Sequence, residues 1–85
     1  MTRVRLLEMC DLVLAANYQF DKNGDGRTVS LEIAKFGHTI RVNENLFDKN
    51  VPVVRYTTDR ILSTNYDPEF LLAEAHIKRL MEDKP

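Results

Sequence analysis

Asp21-Lys22-Asn23-Gly24-Asp25-Gly26-Arg27-Thr28-Val29-Ser30-Leu31-Glu32-Ile33 is the stretch on which the fold turns. Its first six residues set two glycines among Asp and Asn, side chains that close turns on their own backbone, and form the strongest breaker in the chain. The period then changes. From Thr28 to Ile33 polar and apolar residues alternate strictly, and Val29 and Ile33 are β-branched, which predicts a half-buried strand over 28–34. What precedes the breaker has the opposite character. Residues 3–16, RVRLLEMCDLVLAA, are rich in helix formers, and Leu7, Cys10, Val13 or Leu14 recur at helical spacing. That helix is apolar on most sides, which predicts that most of it is buried. Leu12, Leu14, Ala16, Tyr18 and Phe20 also alternate, so its end stays open between Ala15 and Phe20.

Residues 21–32 also fit the pattern D-x-[DN]-x-[DN]-G-x5-E, and in that respect the stretch resembles an EF-hand calcium-binding loop. The resemblance implies side-chain oxygens from Asp21, Asn23 and Asp25, a sharp turn at Gly26, the backbone carbonyl of Arg27, and a bidentate carboxylate from Glu32. Ca2+ is then the one cofactor to consider. Thr28 stands where the family has an aliphatic residue, and a strand pattern follows where the family has an exiting helix. Phe47-Asp48-Lys49-Asn50 repeats Phe20-Asp21-Lys22-Asn23, but Pro52 and Val53 stop the echo. Three readings remain: a polar hairpin loop joining a strand that ends at Phe20 to one that starts near Thr28, a calcium site on an unpaired helix-loop-helix, or a loop that binds calcium weakly without the EF-hand fold.

Downstream, Lys35-Phe36-Gly37-His38 offers a turn and residues 39–43 alternate again, so 28–34 and 39–43 read as an antiparallel hairpin. Residues 43–50 are polar and turn-rich. Residues 53–58 predict a third strand, with Pro52 at its start or on an edge, where no ladder donor is lost. Arg60-Ile61-Leu62 suggests a short helical turn. Asp67 is a good N-cap, Pro68 sits where its missing N–H is harmless, and Glu69 favours the positive helix start. Phe70, Ala73, Ile77 and Leu80 form one stripe, Glu74 and Lys78 an i,i+4 pair, and the pattern predicts a helix over 67–83. The expected fold is a single α+β domain over 1–85. It has an N-terminal helix, an antiparallel sheet of about three strands, and a C-terminal helix whose stripe packs on Val29, Leu31 and Ile33.

The 85 residues carry 12 Lys and Arg against 13 Asp and Glu, a net charge of −1. No basic stripe marks a phosphate-binding face, which points away from nucleic acid as a partner. A dimeric nucleic-acid-binding regulator would need Arg3, Arg5, Arg27 and Arg41 to converge. The lone Cys10 excludes an internal disulfide and suits a reducing, cytoplasmic setting. Glu8 and Asp11 interrupt the N-terminal apolar run as no signal peptide would, and no stretch is long enough to span a membrane. With Met1 at one end and a formed helix at the other, the chain reads as a complete small protein.

Cys10 could serve as a thiol nucleophile with His38 or His76 as base; the plainer reading is a buried structural cysteine. Beside Gly37, His38 is expected to be solvated in a turn, and His76 to lie at the boundary of the last helix. No transition-metal ligand spacing, nucleophile motif or phosphate loop is present, which points away from an enzyme. Phe36, Phe47, Arg55, Tyr56, Arg60 and Tyr66 are candidate interface anchors, since Tyr and Arg are enriched where proteins meet. The expected function is a small protein-interaction module, a regulator, adaptor or inhibitor that occupies a partner's surface, of the kind phages and mobile elements carry. A homodimer is expected, because a three-stranded sheet leaves two edges to protect.

Overall fold

Thr2 opens the first helix: its hydroxyl accepts the Arg5 N–H at 3.3 Å, relieving one of the donors a helix start leaves unpaired. The computed structural model of the chain describes residues 2–35, 37–44, 50–58 and 67–83. Helix α1 runs over Arg3–Lys22, past the open boundary, so no strand ends at Phe20. The apolar residues of its second half alternate because the helix carries apolar side chains on two faces. Met9, Val13, Ala16 and Phe20 are buried at the i, i+4, i+7, i+11 spacing of one face. Leu7 and Leu14, from the spacing noted in the sequence, point the other way and are exposed.

The breaker ends α1 as a helix cap. Asn23 is the C-cap and Gly24 follows with φ +66, the left-handed conformation that glycine adopts without strain. Asp25 N–H reaches back to the Phe20 carbonyl at 2.8 Å and Gly24 N–H to the Asp21 carbonyl at 3.1 Å. This 6→1 and 5→2 pair is the Schellman motif, which satisfies carbonyls that the last turn leaves open.

Three strands follow: β1 (Thr28–Ala34), β2 (Gly37–Asn43) and β3 (Val54–Thr58), antiparallel in the order β1-β2-β3. The predicted hairpin is present, although β2 starts at Gly37 rather than at 39. The register builds three rows on one face of the sheet: Val29-Val42-Val54, Leu31-Ile40-Tyr56 and Ile33-His38-Thr58. On the other face stand Ser30, Arg41 and Arg55, then Glu32, Thr39 and Thr57.

Helix α2 (Pro68–Glu82) starts as the sequence indicates. The Asp67 carboxylate accepts the Glu69 and Phe70 N–H groups at 3.1 and 3.3 Å, and Pro68 takes the first turn. Its stripe Phe70, Ala73, Ile77 and Leu80 is buried, but it does not lie on β1. It packs on β3 and β2, while α1 covers β1. Two helices therefore share one face of the sheet. Leu31 is only partly buried and Ile33 is 57% exposed, a correction to the expected stripe contact.

The helices are tied to each other by polar links. Arg5 pairs with Glu74 at 2.7 Å, and Gln19 Nε2 donates to the Met81 carbonyl at 2.6 Å. Glu74, expected to pair with Lys78, finds its closer partner on the other helix. That hydrogen bond holds the Glu74 carboxyl below its ordinary pKa and raises that of Arg5. Among the described residues no helix is long and apolar enough to cross a membrane. The helical turn read at 60–62 and most of the turn-rich 43–50 segment lie outside the described residues.

Candidate functional site

The residues of the calcium-loop reading are distributed over three elements. Asp21 is exposed on the last turn of α1, Asn23 is its C-cap, and Glu32 stands on the outer face of β1, where it pairs with Arg41 at 3.1 Å. Asp25 and Arg27 bind each other. Asp25 Oδ1 accepts the Arg27 N–H at 3.0 Å, and Oδ2 accepts Arg27 Nε at 2.6 Å and forms the ion pair with its Nη2. The Arg27 guanidinium lies 4.8 Å from the centre of the Phe20 ring, and Nη2 donates to the Asp83 carbonyl at 2.8 Å. The hydrogen bond from Arg27 holds the Asp25 carboxyl below its ordinary value. Arg27 thus fastens the end of α1, the turn and the end of α2. Among the described residues no three His, Cys, Asp or Glu side chains gather as a metal site.

The arginines named for phosphate contact each meet an acid of their own, except Arg3. Arg5 meets Glu74 and Glu8, Arg27 meets Asp25, and Arg41 meets Glu32.

Both histidines differ from expectation. His38 is 2% exposed, not solvated, because strand alternation aligns it with Ile40 and Val42 on the inner face. Its Nδ1 has no hydrogen-bond partner, and burial lowers its pKa from the ordinary 6.5, opposed by the nearby Asp67. His76 is buried on α2 rather than at a boundary. Cys10, expected to be buried, is half-buried on the α1 flank.

His76 organises the site that motif reading missed. Its Nε2 lies 2.5 Å from Glu44 Oε1 and its Nδ1 lies 2.9 Å from the Tyr56 hydroxyl. A carboxylate only accepts, so Nε2 carries a proton; in the neutral imidazole Nδ1 then accepts from the Tyr56 hydroxyl, and in the imidazolium it donates to it. The Tyr56 and His76 rings meet edge to face, 5.9 Å between centres and 75° between planes. Burial raises the Tyr56 pKa, while Arg79 acts in the opposite direction. Around this chain of hydrogen bonds opens a recess of about 520 Å³ between β3 and α2, lined by Glu44, Val54, Tyr56, Leu72, Ala75, His76 and Arg79.

Of the candidate interface residues, Tyr56 lines this recess and Arg55 is exposed on the opposite face of the sheet. Phe36, Phe47, Arg60 and Tyr66 lie outside the described residues. Tyr56 and His76 are far apart in sequence and share no motif. The available signal was that His76 falls beside Ala73 and Ile77 on the buried stripe, where an imidazole needs partners. Comparison with protein-family models, curated proteins and solved structures gives no match to this chain.

Proposed function

We propose that this chain is a protein-interaction module, a small regulator, adaptor or inhibitor, that holds a segment of a partner protein in the recess between β3 and α2. The observation that carries the reading is the make-up of the recess. Val54, Leu72 and Ala75 offer an apolar seat, and Leu72 is 59% exposed there. Arg79 stands at its rim and forms no ion pair among the described residues. An apolar anchor beside a carboxylate is the matching chemistry for a partner, since Tyr and Arg beside an apolar seat are typical binding hot spots.

Binding fits the recess better than catalysis. Both ring nitrogens of His76 are already engaged, by Glu44 and Tyr56, so the imidazole offers no free lone pair to a substrate. The cluster serves as a rigid wall that orients Tyr56. With one cysteine, the module suits a reducing, cytoplasmic compartment.

The test compares the immobilised full chain with its Leu72→Glu variant in an extract of the cell that encodes it. The expected result is a protein retained by the native chain and lost by about tenfold or more with the variant. Equal retention on both, or none on either, overturns the reading.

A further inference from the structure

We propose that the free edge of β1, together with the outer stripe of α1, receives a second copy of this chain. The two copies then share one continuous six-stranded antiparallel sheet across a two-fold axis. This face lies at the opposite edge of the sheet from the β3–α2 recess and stands independently of it.

The edge comes first. Among the described residues β1 pairs only with β2. At its beginning, Asn17 reaches from α1 and takes both outward backbone groups of Val29: Nδ2 donates to the carbonyl at 2.6 Å, and Oδ1 accepts the N–H at 2.9 Å. In an antiparallel ladder, alternate residues point their backbone groups the same way. Leu31 and Ile33 therefore present N–H and C=O along the same edge, beyond the reach of Asn17. An unpaired edge of this kind is a template for another strand.

The helix beside that edge is apolar on the matching side. Cys10, Val13 and Leu14 of α1 face Leu31 and Ile33 across a cleft of about 240 Å³. Leu14, 68% exposed, shares this cleft with the exposed Ile33, and Leu7, 56% exposed, continues the apolar surface from Leu14 along α1. An occupant must bring backbone hydrogen-bonding groups and an apolar helical face in one rigid body. A second copy brings both: β1 of the partner beside β1, and α1 of the partner against α1.

The stripe is self-complementary, as a two-fold interface requires. Leu7 and Leu14 lie on either side of Cys10 and Asp11, so in antiparallel helices the Leu7 of one copy meets the Leu14 of the other. Charge follows the same symmetry. Arg3 and Asp21 are exposed at opposite ends of α1, about five turns apart and so on one azimuth, and neither forms an ion pair among the described residues. With Leu7 set against the partner's Leu14, residue 3 lies across from residue 18 and Asp21 three residues, about 4.5 Å, further along, within the span of an arginine side chain, twice over. Asp11 falls roughly 50° further round the helix than the two leucines, at the solvent rim.

The area is sufficient. A 20-residue helix is about 30 Å long and about 10 Å wide, and the strand edge adds a similar width. That is on the order of 600 Å² per copy, within the roughly 600–1,000 Å² per partner that stable interfaces bury.

Sedimentation equilibrium of the full chain tests the proposal. The expected species is a dimer at micromolar concentration. Leu14→Glu makes it monomeric while leaving the circular dichroism spectrum unchanged. Arg3→Asp alone and Asp21→Arg alone each weaken the dimer by about tenfold, because each sets two like-charged pairs across the axis. The double variant Arg3→Asp with Asp21→Arg restores native affinity. A chain that stays monomeric at hundreds of micromolar overturns the proposal. So does a dimer indifferent to Leu14→Glu, or single charge reversals that the double variant does not repair.

Discussion

One side-chain amide, that of Asn17, holds both the N–H and the C=O of Val29, at 2.9 and 2.6 Å, and so stands in for a neighbouring strand at the start of β1. Val29 is buried and the bonds are part-buried, so their loss leaves two backbone groups without protein partners. Asn17→Ala is expected to cost about 1–3 kcal/mol in urea unfolding. Asn17→Asp costs at least as much despite its equal size. It can still accept from the Val29 N–H, but it sets a carboxylate oxygen against the carbonyl. An Asn17→Asp variant as stable as the native chain would show that the amide geometry does not matter.

Gly24 occupies the left-handed position of the α1 cap, and a Cβ added there meets nothing within 4 Å. The effect of substitution is therefore conformational rather than steric. Gly24→Ala is expected to destabilise the chain by about 1 kcal/mol, and Gly24→Asn by less, since Asn tolerates this region. Denaturant midpoints rank the three residues; Ala equal to or better than Gly would rule out the cap.

The buried His38 gives stability a pH dependence of known sign. Its folded pKa lies below 6.5, so the native state keeps the imidazole neutral where the unfolded chain takes up a proton. Stability from this group is complete above pH 6.5 and falls as pH drops toward the folded value. Asp25 and Glu74 act lower down: their folded values are depressed below 3.8 and 4.5, so their contribution is lost only as pH falls through that range. His38→Leu is expected to flatten the stability profile between about pH 7 and 5, while changing stability at pH 7 by no more than about 1 kcal/mol, because the unpartnered Nδ1 goes with the ring. An unchanged slope in the variant assigns the pH dependence elsewhere.

Asp25 already spends both carboxylate oxygens on Arg27. A cation entering the 21–32 loop has to break that pairing and collect Glu32 from Arg41. Calcium added to chelator-stripped protein is expected to leave the Gly26 amide resonance in place below millimolar concentration. Joint movement of residues 21–32 at micromolar calcium would contradict this.

The legible parts of the sequence were those fixed by local chemistry. Asp67 and Pro68 announce α2 because capping needs only neighbouring residues, and alternation announces β1 and β2. The end of α1 was obscured because the helix carries apolar residues on two faces, which mimics a strand in its second half. Its cap looked like a metal loop because a Schellman turn and a calcium loop both draw on glycine, Asp and Asn. Burial of His38 was available in the alternation His38-Ile40-Val42, and a strand started at 39 hid it. Which helix covers which strand, and the meeting of Tyr56 with His76, are tertiary pairings with no local signal.

Amide hydrogen exchange on the chain, alone and with the protein it retains, addresses the binding reading most directly. Slowed exchange in β3 and over 68–79 of α2 is the expected result, with α1 and β1 the same in both samples. Protection confined to α1 and β1, or no change anywhere, would contradict a partner seated in the recess.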